Sequence, residues 1–295
     1  MGGRFDIDPI GELLSTVISL APIVGLHVQS RPQSLTLVRG MLSGVAEQLA
    51  MDPELLDDLK TSVSEACNNV VLHAYHGEPG PMDIELFIDE QSIRVSVQDR
   101  GIGLSDSPAQ IVNDGAGGLG VSVMKALAGD FQLRTRPGGG TEVVMRFDGR
   151  REDRALYTVP TAATADHRPA AVANDDENEV TVSVSPVELL SSVLGRVART
   201  VAATAHFSLD RFSDVYLITD ALAAHADRAA AGDRITARLT ASDRQLSLSL
   251  GPFRRGSGGL LDARAPSPLS MLTDELTVSE CGADDTVSLV VFDGR

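Results

Sequence analysis

Glu65 and Asn69 stand four residues apart in the run Ser64-Glu65-Ala66-Cys67-Asn68-Asn69-Val70-Val71-Leu72-His73-Ala74-Tyr75. On a helix that spacing puts both on one face, about a turn apart. A carboxylate there can take a proton, and a carboxamide can lend a neutral oxygen to a divalent cation. Asp99-Arg100-Gly101-Ile102-Gly103 sets an acid ahead of two glycines. Such glycines let backbone approach a flat ligand while the carboxylate accepts from an exocyclic amine. Gly115-Ala116-Gly117-Gly118-Leu119-Gly120 precedes a helical pattern, and the free N–H groups of a helix start favour phosphate. Taken singly these are weak signals, since solvated helix faces and glycine turns are common.

The elements that must position these groups follow from hydrophobic spacing. Residues 23–29 read as a strand ended by Arg31-Pro32, and residues 34–50 carry apolar residues at helical intervals. Asp52-Pro53 supplies an N-cap acid and a proline for the first helical position. The helix expected over 54–75 has Leu55, Leu59, Val63, Ala66 and Val70 on its apolar face. Ser62, Leu72 and His73 fall with Glu65 and Asn69 on the other. Alternating residues predict one hairpin from Ile84–Ile88 and Ile93–Val97. A second spans 131–134 and 142–147 around Pro137-Gly138-Gly139-Gly140, with a helix over 121–128 between them. Helices followed by antiparallel hairpins predict an α+β fold, a two-layer α/β sandwich rather than a doubly wound sheet.

The 295-residue chain is long enough for two domains, and its net charge of −16 argues against a phosphate-backbone binder. No direct nucleic acid partner is expected. Its acidity suits steering toward a basic protein partner. Two cysteines, Cys67 and Cys281, fit a reducing cytoplasm, and Cys67 reads as a small buried apolar residue. The longest apolar stretch, 13–28, is interrupted by polar residues, so no membrane partner is expected.

The order and spacing of the chemical signals carry more than any one of them. The Ser64–Tyr75 string, Asp99-x-Gly-x-Gly, Gly117-Gly118-Leu119-Gly120 and Gly140-Thr141 together resemble the nucleotide-binding boxes of the GHKL (histidine-kinase-like) ATPase superfamily. Within it they are most similar to the anti-sigma factor and serine-protein kinase family, over about residues 22–147. The resemblance implies ATP and Mg2+ as cofactors. It implies Glu65 as general base, Asn69 as the Mg2+ ligand, and Asp99 on the adenine amine, with Gly101 and Gly103 allowing the approach. Thr141 would support the adenine end, residues 104–116 would form a lid, and Gly117, Gly118, Leu119 and Gly120 would cradle phosphate. Arg39 matches a first-helix arginine that contacts partners. His73 is expected to pack near the helix end. The implied function is sequestering a sigma factor and phosphorylating Ser or Thr of a STAS-type anti-anti-sigma protein. The alternative is an ATP-binding partner-switching module without phosphoryl transfer. A detached histidine-kinase catalytic half ranks last, for want of upstream helices carrying a phosphoacceptor histidine.

Four segments are expected: an N-terminal extension over 1–21 with a short apolar helix over 10–20, the ATPase-like domain over 22–148, a polar linker over 149–178, and a second globular pattern over 179–295. The second pattern repeats the order of the first, most plainly as an ungapped match of 126–147 to 271–292 that pairs Thr141 with Thr286 and Phe147 with Phe292. Asp220 and Ala224 align with Glu65 and Asn69, and Gly251-Pro252-Phe253 has no acid where Asp99 stands. After Gly258-Gly259-Leu260 the chain meets Pro266 and Pro268, which predicts no helix start there. The expectation is a degenerate, nucleotide-free copy, and a monomer that mimics a homodimer internally.

Overall fold

The computed structural model describes residues 21–89, 92–103, 118–148, 178–257 and 268–294. The N-terminal extension with its helix over 10–20, the lid over 104–116, Gly117, most of the linker and Gly258-Gly259-Leu260 lie outside the described residues.

The first half runs β1 (Val24–Gln29), α1 (Ser34–Gln48), α2 (Pro53–Asn69), a π turn (Val70–Ala74), β2 (Pro81–Ile88), β3 (Ser92–Asp99), α3 (Gly118–Leu127), β4 (Asp130–Thr135) and β5 (Thr141–Asp148). The second half runs β6 (Glu179–Val184), a 3-10 turn (Val187–Leu189), α4 (Leu190–Thr204), α5 (Leu209–Ala229), β7 (Ile235–Ser242), β8 (Gln245–Arg254), α6 (Pro268–Leu272), β9 (Glu275–Cys281) and β10 (Asp284–Phe292). Mixed helices and antiparallel strands make the fold α+β, with the helices packed on one face of the sheet. Val24, Leu26 and Val28, Met82, Ile84 and Leu86, and Met145 and Phe147 turn inward from alternate positions, as a half-buried strand requires. The expected elements appear with small shifts at their ends. Asp52 caps α2 by accepting from Glu54 N (2.9 Å) and Leu55 N (3.3 Å), with Pro53 in the first turn.

One ten-stranded sheet holds both halves, in the order β4-β5-β3-β2-β1-β6-β7-β8-β10-β9. Read outward from the centre, each side has its first, second, third, fifth and fourth strand. The central pair, β1 and β6, is antiparallel, with Val24 opposite Val184 and Leu26 opposite Val182. The buried apolar residues of both halves form a single cluster. Above this seam α1 crosses α4 at close range: a Cβ on Gly44 would lie 2.5 Å from Ser192 O. Glu47 and Arg196 pair across the crossing, and Ser185 N donates to Ile23 O at 2.8 Å.

Three expectations about register and burial are corrected. Leu276 and Phe131 both pair into equivalent places on β10 and β5, yet Thr135 faces Thr141 while Glu280 faces Asp285. The turn after β4 is one residue longer than the turn after β9, so the match of 126–147 to 271–292 has a gap. Asp285, not Thr286, stands where Thr141 does. Counting from the N-caps Asp52 and Ser208 sets Ala221 and His225, not Asp220 and Ala224, opposite Glu65 and Asn69. Burial follows that count: Leu59, Val63 and Ala66 match Val215, Thr219 and Leu222. Ser62 is fully buried rather than on the face opposite the apolar one, with Oγ unpartnered among the described residues. Pro268 does open a helix, α6, as a residue with no N–H to satisfy can at a first helical position.

Gly44→Ala should destabilise the chain by about 1–3 kcal/mol in urea unfolding, because the added methyl meets backbone. Helix propensity alone predicts the opposite sign, a gain of about 1 kcal/mol.

Candidate functional site

Asp99 ends β3 with its side chain turned inward, 1% exposed. A buried carboxylate must have its lone pairs met. One oxygen accepts from Gly101 N at 2.8 Å and the other from Thr141 Oγ1. Each oxygen keeps a further lone pair. The backbone around it is tight enough to demand glycine at two places. A Cβ on Gly101 would overlap Ala74 O, and one on Gly140 (φ +86°) would overlap Asp99 O. Ile102 N donates to Ala74 O at 3.0 Å, tying this loop to the end of the α2 helix. Gly103, at φ +72°, lies against Gly140.

The helix that carries Glu65 and Asn69 is regular through Asn69 and then widens into the π turn Val70–Ala74. Such one-turn widenings recur at functional sites. Both side chains are half-buried. Glu65 reaches α3: a Cβ on Gly120 would lie 2.5 Å from Glu65 Oε2. The general-base candidate therefore meets the first turn of α3, where backbone N–H groups have no intrahelical partner. Leu119 is 84% exposed, its side chain turned to solvent. Cys67 is fully buried, and burial pushes its thiol up to about 12. His73 is exposed on the π turn rather than packed.

The structure thus gathers Asp99, Gly101, Gly103, Gly140 and Thr141 at one place, and Glu65 and Gly120 at another, joined by the helix that ends at Ala74. Arg39 stands apart, exposed on α1 beside Gly40, which faces Arg196 and Thr200 of α4.

The model described as histidine kinase-like ATPase domain matches residues 28–147, a span that holds every member of both groups. The anti-sigma F factor of Caldanaerobacter subterraneus subsp. tengcongensis is 31% identical over 133 residues, covering 42% of this chain and 93% of that protein. The chain belongs to the histidine kinase-like ATPase family. The serine-protein kinase RsbW of Bacillus subtilis is 28% identical over 145 residues, 45% of this chain and 91% of that protein.

Beyond the ATPase domain, the corresponding part of the second half is built differently. An extra residue at Gly251-Pro252 shifts β8 against β10, so Phe253 rather than a carboxylate turns inward opposite Asp285. The Phe253 ring is fully buried, 4.9 Å from the ring of His225. Burial holds the His225 pKa below its ordinary value, and neither ring nitrogen has a partner among the described residues. Asp285 accepts from Gly256 N at 2.8 Å.

Two side chains at the Asp99 end were not singled out as site residues from sequence. Tyr75 Oη accepts from Arg100 N (2.7 Å), and Arg136 donates to Asp99 O (3.0 Å). Tyr75 closes the helix string quoted above, whereas nothing marks Arg136, in a glycine-rich turn, in the sequence.

Two glycine substitutions should separate folding from chemistry in the ATPase domain. Gly101→Ala meets the Ala74 carbonyl and should cost about 1–3 kcal/mol in unfolding experiments. Gly120→Ala meets only the far end of a flexible side chain. It should melt within a degree or two of the parent protein, yet lose roughly tenfold to a hundredfold in ATP turnover as Glu65 is displaced.

Proposed function

We propose that this chain is an ATP-dependent anti-sigma regulator, which captures a sigma factor and phosphorylates a serine or threonine of a STAS-type anti-anti-sigma partner. The observation that carries it is the pairing of a buried, glycine-cradled Asp99 with a Glu65 carboxylate set against the first turn of α3. The relatives, named anti-sigma F factor and serine-protein kinase, support the same reading.

The residues fit a magnesium nucleotide. The cradle around Asp99 is space that a Cβ at Gly101 or Gly140 would fill, and the free lone pairs of Asp99 can accept the adenine amine. Among the described residues, no group of three or more His, Cys, Asp or Glu could hold a metal by itself. Asn69, half-buried one turn beyond Glu65 on the same helix, would share Mg2+ with the phosphates. When bound, the ion neutralises charge on the phosphoryl group being transferred. Glu65 takes the proton from the incoming hydroxyl as its oxygen bonds to the γ-phosphorus and the bond to the ADP oxygen breaks. Gly118, Leu119 and Gly120 offer N–H groups at the start of α3. Arg39, exposed on α1, would pair with a partner carboxylate.

We further infer that residues 179–295 are a degenerate copy of residues 22–148. The matching strand order on the two sides of the β1–β6 pair supports this. So does the burial match of Leu37, Val38, Met41 and Val45 on α1 to Val193, Leu194, Val197 and Val201 on α4. In that match Gly195 takes the place of Arg39, Ala221 that of Glu65, His225 that of Asn69 and Phe253 that of Asp99. The copy would keep the sheet and shed the chemistry.

Purified protein incubated with Mg-ATP and a STAS partner should incorporate phosphate on one hydroxyl. Glu65→Gln should hold Mg-ATP as tightly as the parent while transfer slows by roughly 10²–10⁴-fold. Capture of sigma with no phosphate incorporated would leave a binding module in place of a kinase. Transfer by Glu65→Gln at the parent rate would remove the base assignment.

A further inference from the structure

The peptide that joins Asp99 to Arg100 has both its polar groups taken by side chains from distant segments. Its N–H donates to Tyr75 Oη at 2.7 Å, and its carbonyl accepts from the Arg136 guanidinium at 3.0 Å. Tyr75 is itself fixed. Its hydroxyl donates to Pro81 O at 2.6 Å, and its ring lies so close to Gly80 that a Cβ there would overlap it. Burial pushes the phenol up to about 12, so it remains a donor to Pro81 at any working pH. Arg136 is half-buried in the β4–β5 turn, whose own end is held by Arg136 N donating to Gly140 O at 3.1 Å.

Local geometry makes this peptide matter. Gly101 N, the next amide along, donates to the Asp99 carboxylate at 2.8 Å. If the Asp99–Arg100 peptide rotated, that amide would swing off the carboxylate, which would then be free to turn. A turned carboxylate, buried at 1% exposure, no longer presents its free lone pair at one fixed point. Geometric reading of an amine needs that point held to a fraction of an ångström.

We propose that Tyr75 and Arg136 are positioning residues that clamp the Asp99–Arg100 peptide and thereby set the selectivity of the nucleotide site for a base carrying an exocyclic amine. This rests on the nucleotide reading above. The second half offers an internal contrast. Ala230 caps α5 where Tyr75 caps the π turn, and the turn before β10 is the short Gly282-Ala283 with no arginine. Both clamp residues are missing on the side where Phe253, not a carboxylate, turns inward opposite Asp285.

The test measures equilibrium binding of ATP and of purine riboside triphosphate, which lacks the amine, to the full chain. The parent should prefer ATP. Tyr75→Phe keeps the ring under Gly80 and removes one hydroxyl. It should weaken ATP by roughly 3–10-fold and leave the purine analogue nearly unchanged, so that the preference shrinks. Arg136→Met should do the same, and the double variant should lose less than the product of the two, since both act on one peptide. Equal weakening of both nucleotides would reduce the pair to general structural support and overturn the proposal, as would unchanged preference in both variants. A parent protein that binds neither nucleotide would overturn the nucleotide reading itself, and the clamp with it.

Discussion

The β1–β6 ladder is the constraint on which the rest of the molecule depends. It turns what would be two five-stranded layers into one ten-stranded sheet, and it merges their apolar faces into one core. The ladder alone would leave α1 and α4 to find their own distance. Gly44 settles it, because backbone of α4 occupies the space where a side chain would stand. The inner edge of the ATPase domain is thus closed by the chain's own second half. A domain that must cover an edge strand somewhere here does so covalently.

On the proposed reading, that arrangement frees the second half from chemistry. A site that reads adenine has to bury a carboxylate, which is costly unless each oxygen is satisfied. In the first half Gly101 N and Thr141 Oγ1 meet the cost, with two glycines admitting the close backbone. In the second half a bulge at Gly251-Pro252 turns Phe253 inward instead, and an aromatic ring fills the volume. A buried ring in place of a satisfied acid suits packing rather than recognition, and among the described residues His225 and one Asp285 oxygen have no partners.

Much of this was legible from residue spacing. The strand and helix positions, the Asp52-Pro53 cap and the order of the glycine boxes are local signals, and local structure obeys them. The errors lie where one residue of length is added without changing the pattern. The Pro137–Gly140 turn is one residue longer than its counterpart, and hydrophobic alternation cannot reveal this because a slip of one exchanges two plausible faces. The same blindness put Asp220 and Ala224 opposite Glu65 and Asn69. His73 departs from expectation for a different reason: the helix widens after Asn69, so a wheel drawn at constant pitch fails beyond it. Ser62, ahead of the widening, is buried beside Val63 although its hydroxyl reads as polar. The contacts of Tyr75 and Arg136 with one peptide depend on three segments meeting in space, and no linear pattern encodes that.

We propose two copies of the fold in one chain and one working nucleotide site. Isothermal titration of the full chain with Mg-ATP, with mass measured by light scattering on the same sample, tests it most directly. The expected result is one nucleotide bound per chain in a particle near 31.1 kDa. Two nucleotides per chain, or a particle of twice that mass, would contradict it.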